Sequence, residues 1–182
     1  EWVGPHTFTT MDNLAVLPFT EDWESTSGTV KTNGLMYAGN KYQWHFETDN
    51  PNEGRSRWGS MALLPNSGSG ALTLDKFPND GDYATNAAML TIDLSGYESD
   101  DLELSFYWTD HKDEEHPEDK VWIRGDSTSP WIEIFDFDPV SSPDGVYQQV
   151  SKLDIDQALA SAFPPQAVSS SFQLRFSQKD NS

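Results

Sequence analysis

The chain has 182 residues, 36% of them hydrophobic and 23% charged, enough for one domain with a full core, and its 30 Asp and Glu against 11 Lys and Arg leave a net charge of −19. That balance turns attraction to phosphate into repulsion, which argues against nucleic acid and anionic membrane surfaces as partners, and no apolar run approaches the roughly 18–20 residues of a membrane span. With no Cys, a disulfide framework, a cysteine zinc site and a cysteine nucleophile are excluded, and the acidic, cysteine-free, aromatic-rich composition fits a secreted bacterial domain cut from a larger protein.

Taken in chain order, the strand candidates begin with Leu14 to Phe19, Tyr42 to Phe46, Met61 to Leu64, Ala71 to Leu74 and Ala88 to Ile92, separated by clusters of Gly, Pro, Asn and Asp. Asp101 to Trp108 alternates most clearly, with Leu102, Leu104, Phe106 and Trp108 on one face and Glu103, Ser105 and Tyr107 on the other. Lys120 to Arg124 sets Val121 and Ile123 against Trp122 and Arg124, and Trp131 to Phe137 and Val146 to Val150 follow. One helix is expected over Leu153 to Phe163, capped by Asp154, with Ile155, Leu159 and Phe163 on one face and Pro164-Pro165 as the stop. Ser171 to Ser177 closes the series with Phe172, Leu174 and Phe176 inward. The period-2 segments, about ten strands, predict an all-β, antiparallel two-sheet β-sandwich, a jelly roll, with one short surface helix.

The densest polar cluster, Asp110 to Asp119, holds six carboxylates and two histidines. Such a loop, joined by Glu21, Asp22 and Glu24, offers the oxygen-rich shell of about 6–8 ligands that Ca²⁺ accepts; the candidate ligands are Asp22, Glu24, Asp110, Asp113 and Glu114. A solvated acidic loop accounts for the same residues. Zinc fails on spacing, because His111 and His116 are five residues apart in a segment leading to Pro117. Arg124-Gly125-Asp126 reads as a strand end and a turn rather than an adhesion tripeptide, and Gly125-Asp126-Ser127 lacks the downstream His that a serine hydrolase needs. Glu103 and Glu133 are outward strand acids that a glycosidase would need about 5–10 Å apart, yet among 30 acids such a pair arises by chance.

The aromatic residues point to a ligand surface. Tyr107 and Trp122 face away from the aliphatic pattern on consecutive strong strands, and are expected to form one platform with Arg124 and Glu103 beside it; Trp44, Trp58 and Trp131 lie near turns as further stacking candidates. Outward Trp and Tyr stack on the C–H faces of sugar rings while charged and amide groups hold the hydroxyls. Filling a minor core beneath covering loops is the plain alternative for each ring.

Several segments together resemble the jelly-roll family of MAM domains, cleaved-adhesin domains and related accessory modules of secreted bacterial proteins: Leu17 to Glu24, Gly70 to Asp75, Leu90 to Tyr97 with Leu102 to Trp108, Asp110 to Glu115 before Lys120-Val-Trp-Ile and Trp131-Ile-Glu-Ile, and Phe172 to Asn181. The resemblance spans nearly the whole chain on soft positions. Members commonly continue through a glycine-rich turn to a strand with an acidic pair, whereas this sequence stops at Asn181-Ser182. It implies a jelly roll and often a structural calcium. The expected function is therefore a non-catalytic polysaccharide-binding module of a secreted or cell-surface protein, stabilised by Ca²⁺. A protein-binding adhesion domain of the MAM type and a small jelly-roll glycoside hydrolase or lyase are the alternatives.

Overall fold

A computed structural model describes residues 14–24, 30–31, 34–38, 42–59, 64–77, 81–110, 116–138, 140 and 143–181. Among them the chain is mostly β, built as three antiparallel sheets with one short helix. The largest sheet has the order β2 (Gly34–Ala38), β3 (Tyr42–Thr48), β6 (Ala84–Ile92), β11 (Phe172–Asp180), β8 (Lys120–Arg124) and β9 (Ile132–Asp136). A second sheet runs β1 (Val30–Lys31), β4 (Gly54–Gly59) and β5 (Ala71–Lys76), and a third pairs β10 (Gln148–Asp154) with β7 (Glu103–Trp108).

Alternation puts one face of the six-stranded sheet into the core: Trp44 and Phe46 from β3, Ala88, Leu90 and Ile92 from β6, Phe172 and Leu174 from β11, Val121 and Ile123 from β8. The two smaller sheets meet that face at different ends. Trp58 of β4 stacks on Phe46 with ring centroids 4.7 Å apart and planes 11° off parallel, while Phe106 of β7 meets Phe135 and Phe176 edge-on at 5.6 and 5.3 Å.

Most expected strands are present, with informative shifts. Leu14 to Phe19 is not a strand: only Ala15 bridges to Ile92, helped by the Asp93 amide donating to the Ala15 carbonyl at 2.9 Å. Residues 61–63 of the expected Met61 to Leu64 strand lie outside the described residues, and Leu64 itself sits in a bend with φ 46°. Val146 belongs to a turn closed on the Pro143 carbonyl, so β10 starts two residues later and continues to Asp154. The helix α1 (Ile155–Ser161) has the expected cap, the Asp154 carboxylate accepting the Gln157 amide at 2.7 Å, and buries Ile155 and Leu159. Phe163 lies beyond the helix end and is fully exposed rather than sharing that face. No helix among the described residues is long and apolar enough to cross a membrane.

Candidate functional site

Strand register assembles the outer face of the six-stranded sheet row by row. Glu133, Trp122, Arg175, Met89 and His45 form one row across β9, β8, β11, β6 and β3. Arg124, Gln173 and Thr91 form the row on one side of it, and Lys120, Ser177, Ala87 and Glu47 the row on the other. Trp131, just before β9, completes the surface: the Arg124 guanidinium carbon stands 4.3 Å from its ring centroid and that of Arg175 stands 5.8 Å away.

Side-chain hydrogen bonds fix this face. Arg124 Nε donates to Gln173 Oε1 at 2.6 Å, and Gln173 Nε2 donates onward to Thr91 Oγ1 at 3.0 Å. Trp122 Nε1 donates to Ser177 Oγ at 3.0 Å, so this half-buried indole is anchored by its polar edge. Burial pulls the Arg124 guanidinium below its ordinary value; Asp126 and Glu47 oppose the shift and the Arg175 charge adds to it. Arg175 also borders a shallow recess of about 600 Å³ whose other walls include His45, Glu47, Asp49 and Thr85.

Of the expected ligand residues, Trp122, Arg124 and Trp131 are thus brought together, and Arg175 and Gln173 join them. The Tyr107–Trp122 platform does not form. Tyr107 belongs to β7, which pairs with β10, whereas β8 lies between β11 and β9, so the two rings sit on separate sheets and face away from a core between them. Glu103 and Glu133 are separated in the same way; Glu103 pairs with Lys152 at 3.3 Å and Glu133 with Lys120 at 2.8 Å, so they face no common cleft. Trp44 and Trp58 are core residues, 2% and 4% exposed, because β3 and β4 turn them inward.

The expected cation ligands are engaged elsewhere or lie outside the described residues. Glu24 accepts from the Ser69 amide at 2.7 Å, the Ser69 hydroxyl at 2.8 Å and the Gly70 amide, and those donors, the Gly70 amide first, hold its carboxyl below the ordinary value. Asp22 accepts the Glu24 amide, and neighbouring Glu21 accepts from the Trp23 amide and from Trp44 Nε1. Asp113 and Glu114 are not among the described residues, and Asp110 converges with no other two described acids. The three carboxylates that do converge among the described residues, Asp101, Asp154 and Asp156, are largely exposed; Asp154 caps α1, and Asp156 accepts the Leu102 amide at 2.6 Å.

The Arg124-Gly125-Asp126 string is a built turn. The Asp126 carboxylate accepts from the amides and hydroxyls of Thr128 and Ser129, which hold its carboxyl far below the ordinary value, Thr128's hydroxyl acting most strongly. Gly125 is buried against the Ala167 carbonyl, where a Cβ would collide.

Asp119, beside β8, has its carboxyl pushed up to about 6 by burial, against the Lys179 amide, which donates to it at 2.8 Å, and with the Asp138 charge adding to the rise; His116 pulls the other way. Its folded value lies above the ordinary 3.8, so its contribution is fully present below about pH 3.8 and is lost as pH rises through about 6. Asp119→Asn should therefore stabilise the protein at pH 8, on the order of 1 kcal/mol at this partly solvated site, and by clearly less at pH 4.5. Urea midpoints at the two pH values check this, and coincident midpoints at pH 8 would mean that the carboxylate is well solvated.

The chain matches no protein-family model and no curated protein, and its structure matches no solved structure.

Proposed function

We propose that this chain is a non-catalytic polysaccharide-binding module with a two-layer jelly-roll architecture, belonging to a secreted or cell-surface bacterial protein of the MAM-like and cleaved-adhesin-like kind. The observation that carries the reading is the outer face of the six-stranded sheet, where Trp131, Trp122, Arg124, Arg175 and Gln173 share one hydrogen-bonded surface. Part-exposed indoles supply apolar area for a sugar ring, and guanidinium and amide groups beside them supply directional donors for its substituents. The binding role leaves Glu103 and Glu133 without catalytic work.

Native gels cast with a panel of neutral and acidic polysaccharides test it. Retardation by at least one polymer is expected, and Trp131→Ala should abolish it while leaving the melting temperature within about 3 °C, since the ring lies outside the core. Unretarded migration in every gel, or retardation indifferent to Trp131→Ala, overturns the proposal.

The structural Ca²⁺, with Asp22, Glu24, Asp110, Asp113 and Glu114 as its candidate ligands, is a separable part of the proposal. A melting temperature raised by millimolar Ca²⁺ and lowered by EDTA is the expected result, worth about 2.7 kcal/mol at a hundredfold excess over Kd. Indifference to both removes the cation and leaves the sheet surface untouched.

A further inference from the structure

Among the described residues, most Lys and Arg side chains are paired with a carboxylate. Arg55 and Arg57 meet Asp75, Lys76 meets Glu53, Lys120 meets Glu133 and Asp136, Lys152 meets Glu103, and Lys179 meets Glu118. Among the eight Lys and Arg whose side chains are described, the two without a described carboxylate within 4.0 Å are Arg124 and Arg175. These two lie on the same face of adjacent strands and share Trp131.

In a chain with 30 acids, two neighbouring guanidiniums with no described carboxylate within 4.0 Å repel each other, and an arriving anion would relieve that repulsion. The Arg124 charge is disfavoured first by burial and then by the neighbouring Arg175, and Arg175 Nε is buried with no described acceptor. Arg124 is oriented by Gln173 on its Nε and by the Trp131 ring beneath it, so the terminal nitrogens of its fork are directed elsewhere. Among the described residues, the one hydrogen bond of these nitrogens is the long one from Nη1 to the Ser129 carbonyl at 3.5 Å.

Building on the polysaccharide-binding reading, we infer that Arg124 and Arg175 form an anion subsite for the carboxylate of a uronic-acid residue, with Trp131 and the adjoining recess taking the sugar ring and its hydroxyls. A planar carboxylate matches the guanidinium fork and can bridge two forks at once. The surroundings argue against a denser polyanion. Glu47 and Asp126 lie close enough to act on Arg124, and Glu47 and Asp49 line the recess; they would repel a closely spaced phosphate or sulfate chain but can accept hydrogen bonds from the hydroxyls of a uronan with one charge per ring.

The test compares polygalacturonate with the same polymer after carboxyl reduction, and with dextran sulfate, by calorimetry at 0.15 M salt on the parent protein, Arg124→Gln, Arg175→Gln, Arg175→Lys and Trp131→Ala. Expected are affinity for polygalacturonate at least about tenfold above the reduced polymer, a loss of about tenfold or more in each Gln variant, and a partial loss in Arg175→Lys, which keeps charge but not the fork. Melting curves accompany each variant; if Arg124→Gln is not folded, Arg175→Gln and Arg175→Lys carry the comparison. Equal affinity for the two galactose polymers, unaffected by Arg175→Gln but abolished by Trp131→Ala, overturns the anion subsite and leaves the polysaccharide reading standing. Dextran sulfate bound as tightly as polygalacturonate overturns the carboxylate assignment. No binding of any of the three, together with no retardation in the wider panel, overturns the polysaccharide reading itself.

Discussion

Trp44→Ala and Trp58→Ala should each destabilise the protein by about 3–5 kcal/mol, the usual cost of emptying a buried aromatic site. At about 2–4 °C per kcal/mol for a chain of this size, each should lower the melting temperature by roughly 6–20 °C. Trp58 stacks on Phe46, which is itself 0% exposed, so truncation opens a void between the β4 sheet and the six-stranded sheet that neither backbone can close. Trp44 packs against Trp23 at 4.9 Å and donates to Glu21 at 3.3 Å, so its loss also releases the segment before β1. Tyr107→Ala is the control: the ring is 54% exposed, and its loss should stay within about 0.5 kcal/mol. Differential scanning calorimetry of the three variants decides. A Trp58→Ala melting temperature within 2–3 °C of the parent would mean that the ring is not between the sheets.

Asp180→Ala is expected to cost about 3 kcal/mol, large for a polar residue at a strand end. Asp180 is 3% exposed and accepts the Lys76 amide at 2.8 Å, tying the end of β11 to the end of β5. The Lys76 side chain is wholly buried, its ammonium 3.2 Å from Glu53, which also accepts from Asn50 at 2.9 Å. Nearby, buried Asn86 donates to the Asp75 carbonyl at 2.9 Å. Removing the carboxylate leaves the buried Lys76 amide without its acceptor. Asp180→Asn retains an acceptor and should lose less than half as much. Urea titration reads both, and an Asp180→Ala midpoint equal to that of the parent would show that this network does not hold the two strand ends together.

How much of this was legible in the sequence differs from element to element. β7, β8 and β11 announce themselves because their inward residues, Leu104 and Phe106, Val121 and Ile123, Phe172 and Leu174, are large and apolar and alternate with polar ones. The Asp154 cap was equally plain, since a cap is a local contact three residues long. β4 was missed because its inward residues are Gly54, Ser56 and Trp58, and two of the three carry no hydrophobic signal; its outward residues, Arg55 and Arg57, are held by Asp75 on β5, which no local pattern reveals. Lys76 and Asp180 likewise read as surface residues, and only long-range pairing shows them to be buried.

The candidate site divides along the same line. Alternation in Ser171 to Ser177 already turned Gln173 and Arg175 outward, so the signal for them was present alongside the one for Trp122 and Arg124. Local pattern settled the facing of each residue on its own strand, because the period of two is set by backbone geometry within that strand. Which strands lie side by side is decided by closure of the whole chain: β11, about fifty residues after β8, inserts between β8 and β6, whereas β7 leaves to pair with β10. That choice placed Arg175 beside Trp122 and carried Tyr107 to the far side of the core. Sheet order depends on burying all the apolar faces at once, a condition that no single segment contains.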